Sequence, residues 1–262
     1  MAGFFALVVI FVSGCSPGPG NVFQGYIEGE YVYVAAPLGG ALTNLAVARG
    51  DALKAGQLLF ELERGSEAAA LDQAEKNLAQ AWASLVLSDA AFNRRLQLRK
   101  DQGVISAEEL DQARAQRDAD QAQVAAQTAA LAKARWSFDQ KQQFAPTNAL
   151  VQDTLYRQGE WVAAGNPVVV LLPPANLKVR FFVPQAALPK IKPGESLGVT
   201  FDGGLHAYPA TVNYISTQAE FTPPVIYSRE NRAKLVFMIE AVFSPADAAD
   251  LRPGQPVDVE LK

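Results

Sequence analysis

A single cysteine, Cys15, and a single histidine, His206, are all that the chain offers for thiolate or imidazole chemistry. Nucleophilic catalysis needs such a group beside a base, and a structural zinc needs about four Cys, His or acidic ligands. Neither arrangement can be assembled here, and one thiol makes no disulfide framework. His206 stands in Gly203-Gly204-Leu205-His206-Ala207 and reads as a surface turn. Of the 27 Asp and Glu residues, 11 lie in one alanine-rich stretch, where they read as the solvated face of helices. Gly39-Gly40 has neither the lysine nor the helix start of a phosphate loop. With 262 residues, 49% hydrophobic and a net charge of −4, the chain is globular and has no long basic run to attract nucleic acid. The expectation is a protein without catalysis, cofactor, metal or nucleic-acid partner, whose function lies in how its elements are arranged.

The N-terminus is the first of those elements. Residues Phe4 to Val12 form an apolar run too short for the roughly 20 residues that span a bilayer, but suited to a signal-peptide core. Val12-Ser13-Gly14-Cys15 follows at once and resembles the lipobox of bacterial lipoproteins, in which the thiol takes a diacylglyceryl group. Met1-Ala2-Gly3 lacks the usual Lys or Arg, so a misassigned start codon or a plain secretory signal are the other readings. Either way the mature chain leaves the cytoplasm. The expected boundaries are a signal over 1–15 and a tether over 16–30, rich in Pro and Gly at Pro17-Gly18-Pro19-Gly20.

Set against itself at an offset of 109, the chain places Ala36-Pro37 over Ala145-Pro146, Gly50-Asp51 over Gly159-Glu160, and Ala55-Gly56 over Ala164-Gly165. Each copy reads as short strands broken by turns and is too small to bury a core alone, so the two should pack on each other. The run from Val47 to Glu61 is similar to one half of a biotinyl/lipoyl-type β-sandwich. In carrier domains a modified lysine stands on the hairpin joining the halves; Leu62-Glu63-Arg64-Gly65 has none. The sandwich is therefore expected over 31–65 and 144–174, split by an insertion.

The insertion, expected over 66–143, has 20 alanines, no proline and one glycine near its middle, Gly103. Leu71, Leu78, Leu85 and Phe92 recur at sevens, as do Leu110, Val124, Leu131 and Phe138 with an interruption at Arg117. Sustained sevens flanked by small residues predict an antiparallel coiled-coil hairpin, each helix reaching roughly 50 Å. Gly103 suits the left-handed residue that ends the first helix, after Arg94, Arg95, Arg99 and Lys100 near the negative end of its dipole. Ser106-Ala107-Glu108-Glu109 predicts a capping box, with Ile105 and Leu110 as its hydrophobic staple. From Leu177 the pattern turns to short strands, with similar turns at Lys192-Pro193-Gly194-Glu195 and Arg252-Pro253-Gly254-Gln255, and a β-barrel is expected over 175–262. Gln218 to Arg232 reads as a functional loop or a long crossover.

The order of a lipoyl half, helical hairpin, second lipoyl half and β-barrel resembles the HlyD-type membrane fusion proteins, periplasmic adaptor subunits of efflux and secretion systems. The resemblance covers residues 26–262. It implies an α+β fold: a split lipoyl-like β-sandwich with an inserted antiparallel coiled-coil hairpin and a C-terminal β-barrel. It also implies a periplasmic, non-enzymatic adaptor between an inner-membrane transporter and an outer-membrane exit duct, exporting small molecules or other cargo, in a ring of six copies held to the inner membrane by a lipid at Cys15. The stretch Phe221-Thr222-Pro223-Pro224 through Lys234-Leu235-Val236-Phe237 is similar to members serving ABC-type exporters. Duct-docking members carry at the hairpin tip an Arg, a Leu four residues on and a Ser seven beyond; here Arg95 and Ser106 match and Arg99 replaces the leucine. The three are the expected partner contacts. Movement would pass through hinges at Arg64 to Ser66 and Phe144 to Pro146. The rival reading is an envelope interaction protein whose coiled coil binds something other than a duct.

Overall fold

The structure, a computed structural model, describes residues 22–201, 206–221 and 235–261. In chain order β1 (Val22–Gly29) is followed by β2 (Val32–Ala35), β3 (Gly40–Leu45), β4 (Ala52–Leu53) and β5 (Leu58–Leu62). Helices α1 (Gly65–Gln102) and α2 (Ala107–Asp139) come next, then β6 (Gln142–Phe144), β7 (Ala149–Thr154), β8 (Trp161–Val162) and β9 (Pro167–Leu172). The last group is β10 (Leu177–Pro184), β11 (Ser196–Thr200), β12 (Tyr208–Phe221), β13 (Leu235–Phe243), the short α3 (Pro245–Ala248) and β14 (Pro256–Leu261). These elements form two units, one from residues 31–173 and one from the segments on either side of it.

In the first unit the internal repeat becomes an exchange of strands. One sheet has the order β2-β9-β7-β4 and the other β6-β5-β3-β8, so each sheet takes two strands from each copy. The turns exchange bonds in the same way. Gly50 N–H donates to the Val151 carbonyl (2.9 Å) and Gly159 N–H to that of Leu42 (2.8 Å), while Gly56 donates to Ala145 (2.8 Å) and Gly165 to Ala36 (2.9 Å). Neither half can satisfy its own turns or cover its own apolar face. The shared core holds Leu42, Leu59, Phe60, Leu62, Val151, Val162 and Leu171, each 1% exposed or less.

The hairpin inserted between β5 and β6 is antiparallel, since Glu75 near the start of α1 pairs with Arg135 near the end of α2 at 3.3 Å. Its seam follows the expected sevens, with one difference of depth. Ala74, Ala81 and Ser88 are buried, whereas Leu71, Leu78 and Leu85 are only half-buried. Small side chains sit deepest where two backbones approach closely, and the longer leucines splay to the edges of the seam. The insertion also ends earlier than 143, because Gln142 and Gln143 already pair with Glu61 and Phe60 as β6.

The second unit is a closed barrel in the order β1-β10-β13-β12-β11-β14. It corrects two expectations. Residues 22–29, assigned to the tether, form the strand that closes the barrel, pairing with β10 on one side and β14 on the other. The barrel is therefore built from both ends of the described chain, and a cylinder without β1 would leave two edges unpaired. Gln218 to Phe221, expected within a functional loop or long crossover, instead continue β12 against β13. Thr222-Pro223-Pro224 lies outside the described residues. The twin turns behave as repeats: Gly194 N–H donates to Val212 and Gly254 N–H to Ile27, both at 2.8 Å.

The register of β1, β10 and β13 assembles an ionic cluster on one face of the barrel. Glu240 lies opposite Arg180, and Glu28 opposite Lys178. Lys178 reaches Glu240 (2.8 Å) and Glu30 (2.6 Å), while Arg180 reaches Glu240 and Glu28, both at 2.7 Å. Burial works against the charge on Glu240, but hydrogen bonds from Lys178 and Arg180 outweigh it and hold the carboxyl below its usual range. Burial likewise opposes the Lys178 charge, and Glu240 and Glu30 overcome it, raising the ammonium above its usual range.

Candidate functional site

The hairpin tip is made by local chemistry. α1 ends at Gly103, whose φ of 66° is left-handed and whose N–H donates to the Arg99 carbonyl at 3.2 Å. A side chain there would be strained, so glycine sets where the first helix stops. Ser106 then starts α2: its hydroxyl accepts from Glu109 N–H (3.1 Å) while the Glu109 carboxylate accepts from Ser106 N–H (3.0 Å). The backbone and hydroxyl of Ser106 hold the Glu109 carboxyl below its usual range, with Arg95 adding to the effect. Ile105 packs against the buried cluster of Phe92, Leu110 and Ala113.

Arg95, Arg99 and Ser106 are all exposed. Arg95 and Arg99 are four residues apart on the last turns of α1 and so share one face, next to Arg94 and Lys100. The Ser106 hydroxyl is occupied by the cap, since it also donates to the Glu109 carboxylate at 3.0 Å. The structure thus gathers the two arginines into a cationic face and gives the serine the task of ending the turn. Cys15, the expected lipid attachment point, lies outside the described residues.

Arg117, which interrupts the sevens of the second helix, has its own place in the seam. Its guanidinium lies 4.5 Å over the Phe92 ring, and Arg114 stands 5.9 Å away. A cation over an aromatic face closes the seam as an apolar residue would, while its charge stays with Asp118 at 2.6 Å. The clue was available: the one break in the second helix's pattern falls opposite the one aromatic near the end of the first. Elsewhere His206 is exposed, and among the described residues no three His, Cys, Asp or Glu side chains are grouped to hold a metal ion. Among the same residues no helix is long and apolar enough to cross a membrane.

Residues 70–141 match the alpha-helical hairpin domain of RND-type membrane fusion proteins. Over the whole chain, a membrane protein called YbhG from Salmonella paratyphi B is 28% identical, the match covering 92% of this chain and 88% of the relative. Among solved structures, the membrane fusion protein Spr0693 from Streptococcus pneumoniae R6 shares the fold with a TM-score of 0.67 at 20% identity, covering 92% of this chain and 98% of its own. MacA from Actinobacillus actinomycetemcomitans does so with a TM-score of 0.70 at 18% identity, over 92% and 78%.

Proposed function

We propose, from the match of residues 70–141 to the alpha-helical hairpin domain of RND-type membrane fusion proteins and from the fold shared with a membrane fusion protein, that the chain is a periplasmic adaptor linking an inner-membrane transporter to an outer-membrane exit duct. Membrane fusion proteins are non-enzymatic components of transport, and the work assigned here is mechanical. The observation that carries the reading is the tip: an exposed face bearing Arg95 and Arg99, held by the Gly103 stop and the Ser106 cap at the end of a rod roughly 50 Å long. A tip fixed by its own residues keeps its shape until it meets a partner.

In this reading Arg95 and Arg99 contact the helices of the duct, and Ser106 presents the turn. Six copies stand side by side, the transporter is of the ABC type, and a lipid on Cys15 anchors each copy at the inner membrane. The cargo, small molecules or other, passes through the conduit without a dedicated binding site on this chain.

Replacing residues 90–118 by a short glycine-containing turn is expected to abolish export while the sandwich and barrel stay folded; full export by that variant would overturn the docking role. A photocrosslinker at position 99 should capture an outer-membrane protein, and a transporter should co-purify from crosslinked membranes. Intact mass of the membrane-extracted protein should show the acyl chains on Cys15.

A further inference from the structure

The chain enters the hairpin after β5 and leaves it into β6, at the two places where the sequence suggests hinges. Both are bonded. β5 and β6 form an antiparallel ladder pairing Leu58 with Phe144, Phe60 with Gln143 and Glu61 with Gln142. Backbone bonds extend it to the helices and across to the rest of the sandwich: Leu62 N–H donates to the Lys141 carbonyl (2.8 Å), Glu63 N–H to that of Ala41 (2.7 Å) and Ala145 N–H to that of Gln57 (2.8 Å).

Across this root lies a lysine that coiled-coil packing does not require. The Lys141 side chain is only 5% exposed. Its ammonium donates to the Gly39 carbonyl between β2 and β3 (2.7 Å) and pairs with Glu67 in the first turn of α1 (3.0 Å). One buried charge following the end of α2 therefore ties the sandwich to α1. A Cβ on Gly40 would stand 3.2 Å from that ammonium, so a residue without a side chain borders its seat. On Glu67, burial alone would favour the neutral acid, but hydrogen bonds from Ser66 and Lys141 outweigh it and keep the carboxylate ionised. A second clasp joins the same elements: the Arg64 guanidinium lies 4.5 Å over the Phe138 ring and pairs with Glu61 at 2.8 Å.

We propose that Lys141 is a latch that locks the hairpin to the sandwich, so that the two turn as one body and the tip copies the orientation of the sandwich. Tilting the hairpin about its root would draw the ammonium away from Gly39 or from Glu67, and hydrogen bonds of this kind are lost within about an ångström of stretch. A buried ammonium without partners is strongly disfavoured, so the tilt is resisted. The latch goes beyond the docking role and does not depend on it, because the coupling can be read with no partner present.

The test is a pair of spin labels on the full chain with Cys15 replaced by serine, one at position 54 on an exposed sandwich turn and one at position 119 on the exposed face of α2. Double electron–electron resonance should give one narrow distance distribution. Lys141→Met should broaden it at least about twofold and Glu67→Gln should broaden it less, with circular dichroism unchanged, while Arg95→Ala leaves it narrow. Should Lys141→Met fail to fold, Glu67→Gln and Gly40→Ala carry the comparison. The latch is overturned if the parent distribution is already as broad as that of the variants, or if folded Lys141→Met, or Glu67→Gln and Gly40→Ala in its place, stay as narrow as the parent.

Discussion

The two ends of the hairpin are held by opposite means. At the tip, Gly103 N–H donates to the Arg99 carbonyl and Ser106 and Glu109 satisfy each other's backbone N–H groups, all within eleven residues, leaving the Arg95 and Arg99 side chains exposed. At the root, Lys141 is buried against partners at positions 39 and 67, distant in sequence. A capped turn can form wherever its helices form, whereas a buried ion pair exists only once the fold around it is complete. The difference separates tasks: the tip can be altered at little cost to stability, and the root only at a larger one.

The largest effect should follow from breaking the root. Lys141→Met leaves the Glu67 carboxylate without its buried cation and should destabilise the unit of residues 31–173 by about 3 kcal/mol, read from the urea midpoint followed by the fluorescence of its tryptophans, Trp82, Trp136 and Trp161. A midpoint equal to the parent's would make the pair incidental. Ser106→Ala should cost about 1 kcal/mol through loss of the cap, with faster hydrogen exchange confined to the first turn of α2. Arg95→Ala and Arg99→Ala should each move stability by less than about 0.5 kcal/mol while export falls, which would separate docking from folding. If both variants export normally, the cationic face is only a solvated helix end.

Acid and base test the barrel cluster and the root together. Glu240 and Glu67 have lowered pKa values in the folded chain, so their contributions are complete well above the unfolded value of 4.5 and disappear as pH falls through the folded values. Lys178 is raised, so its contribution is present below 10.5 and is lost as pH rises through its folded value. Thermal midpoints should therefore be level between about pH 6 and 9 and fall on both sides. Glu240→Gln should reduce both slopes in the barrel transition, since it removes a partner from each cation.

Much of this was legible without coordinates. The offset of 109 carries over strand by strand: β3 onto β7, β4 onto β8, β5 onto β9. The paired turn glycines keep nearly the same φ, 94° at both Gly50 and Gly159. The tip was legible because capping boxes and left-handed glycines act within a few residues. The strand β1 was not, since Val22–Gly29 follows a Pro/Gly-rich stretch and gains its meaning from partners more than 140 residues away. Nor was Lys141, which reads as a polar residue between a helix and a strand. Its burial is a property of the loop bearing Gly39 and of the first turn of α1.

Sequence by itself determined what depends on periodicity and neighbours: the repeat, the length of the hairpin, the stop and start at its tip, and the absence of paired thiols. Only the tertiary structure decided which strands exchange between the halves, that the barrel closes through β1, that Lys178 and Arg180 share Glu240, and that the hairpin root is clamped. Local preferences act over a turn of helix or a tight hairpin. Burial and buried charge depend on segments brought together across the fold, and no single stretch of the chain encodes them.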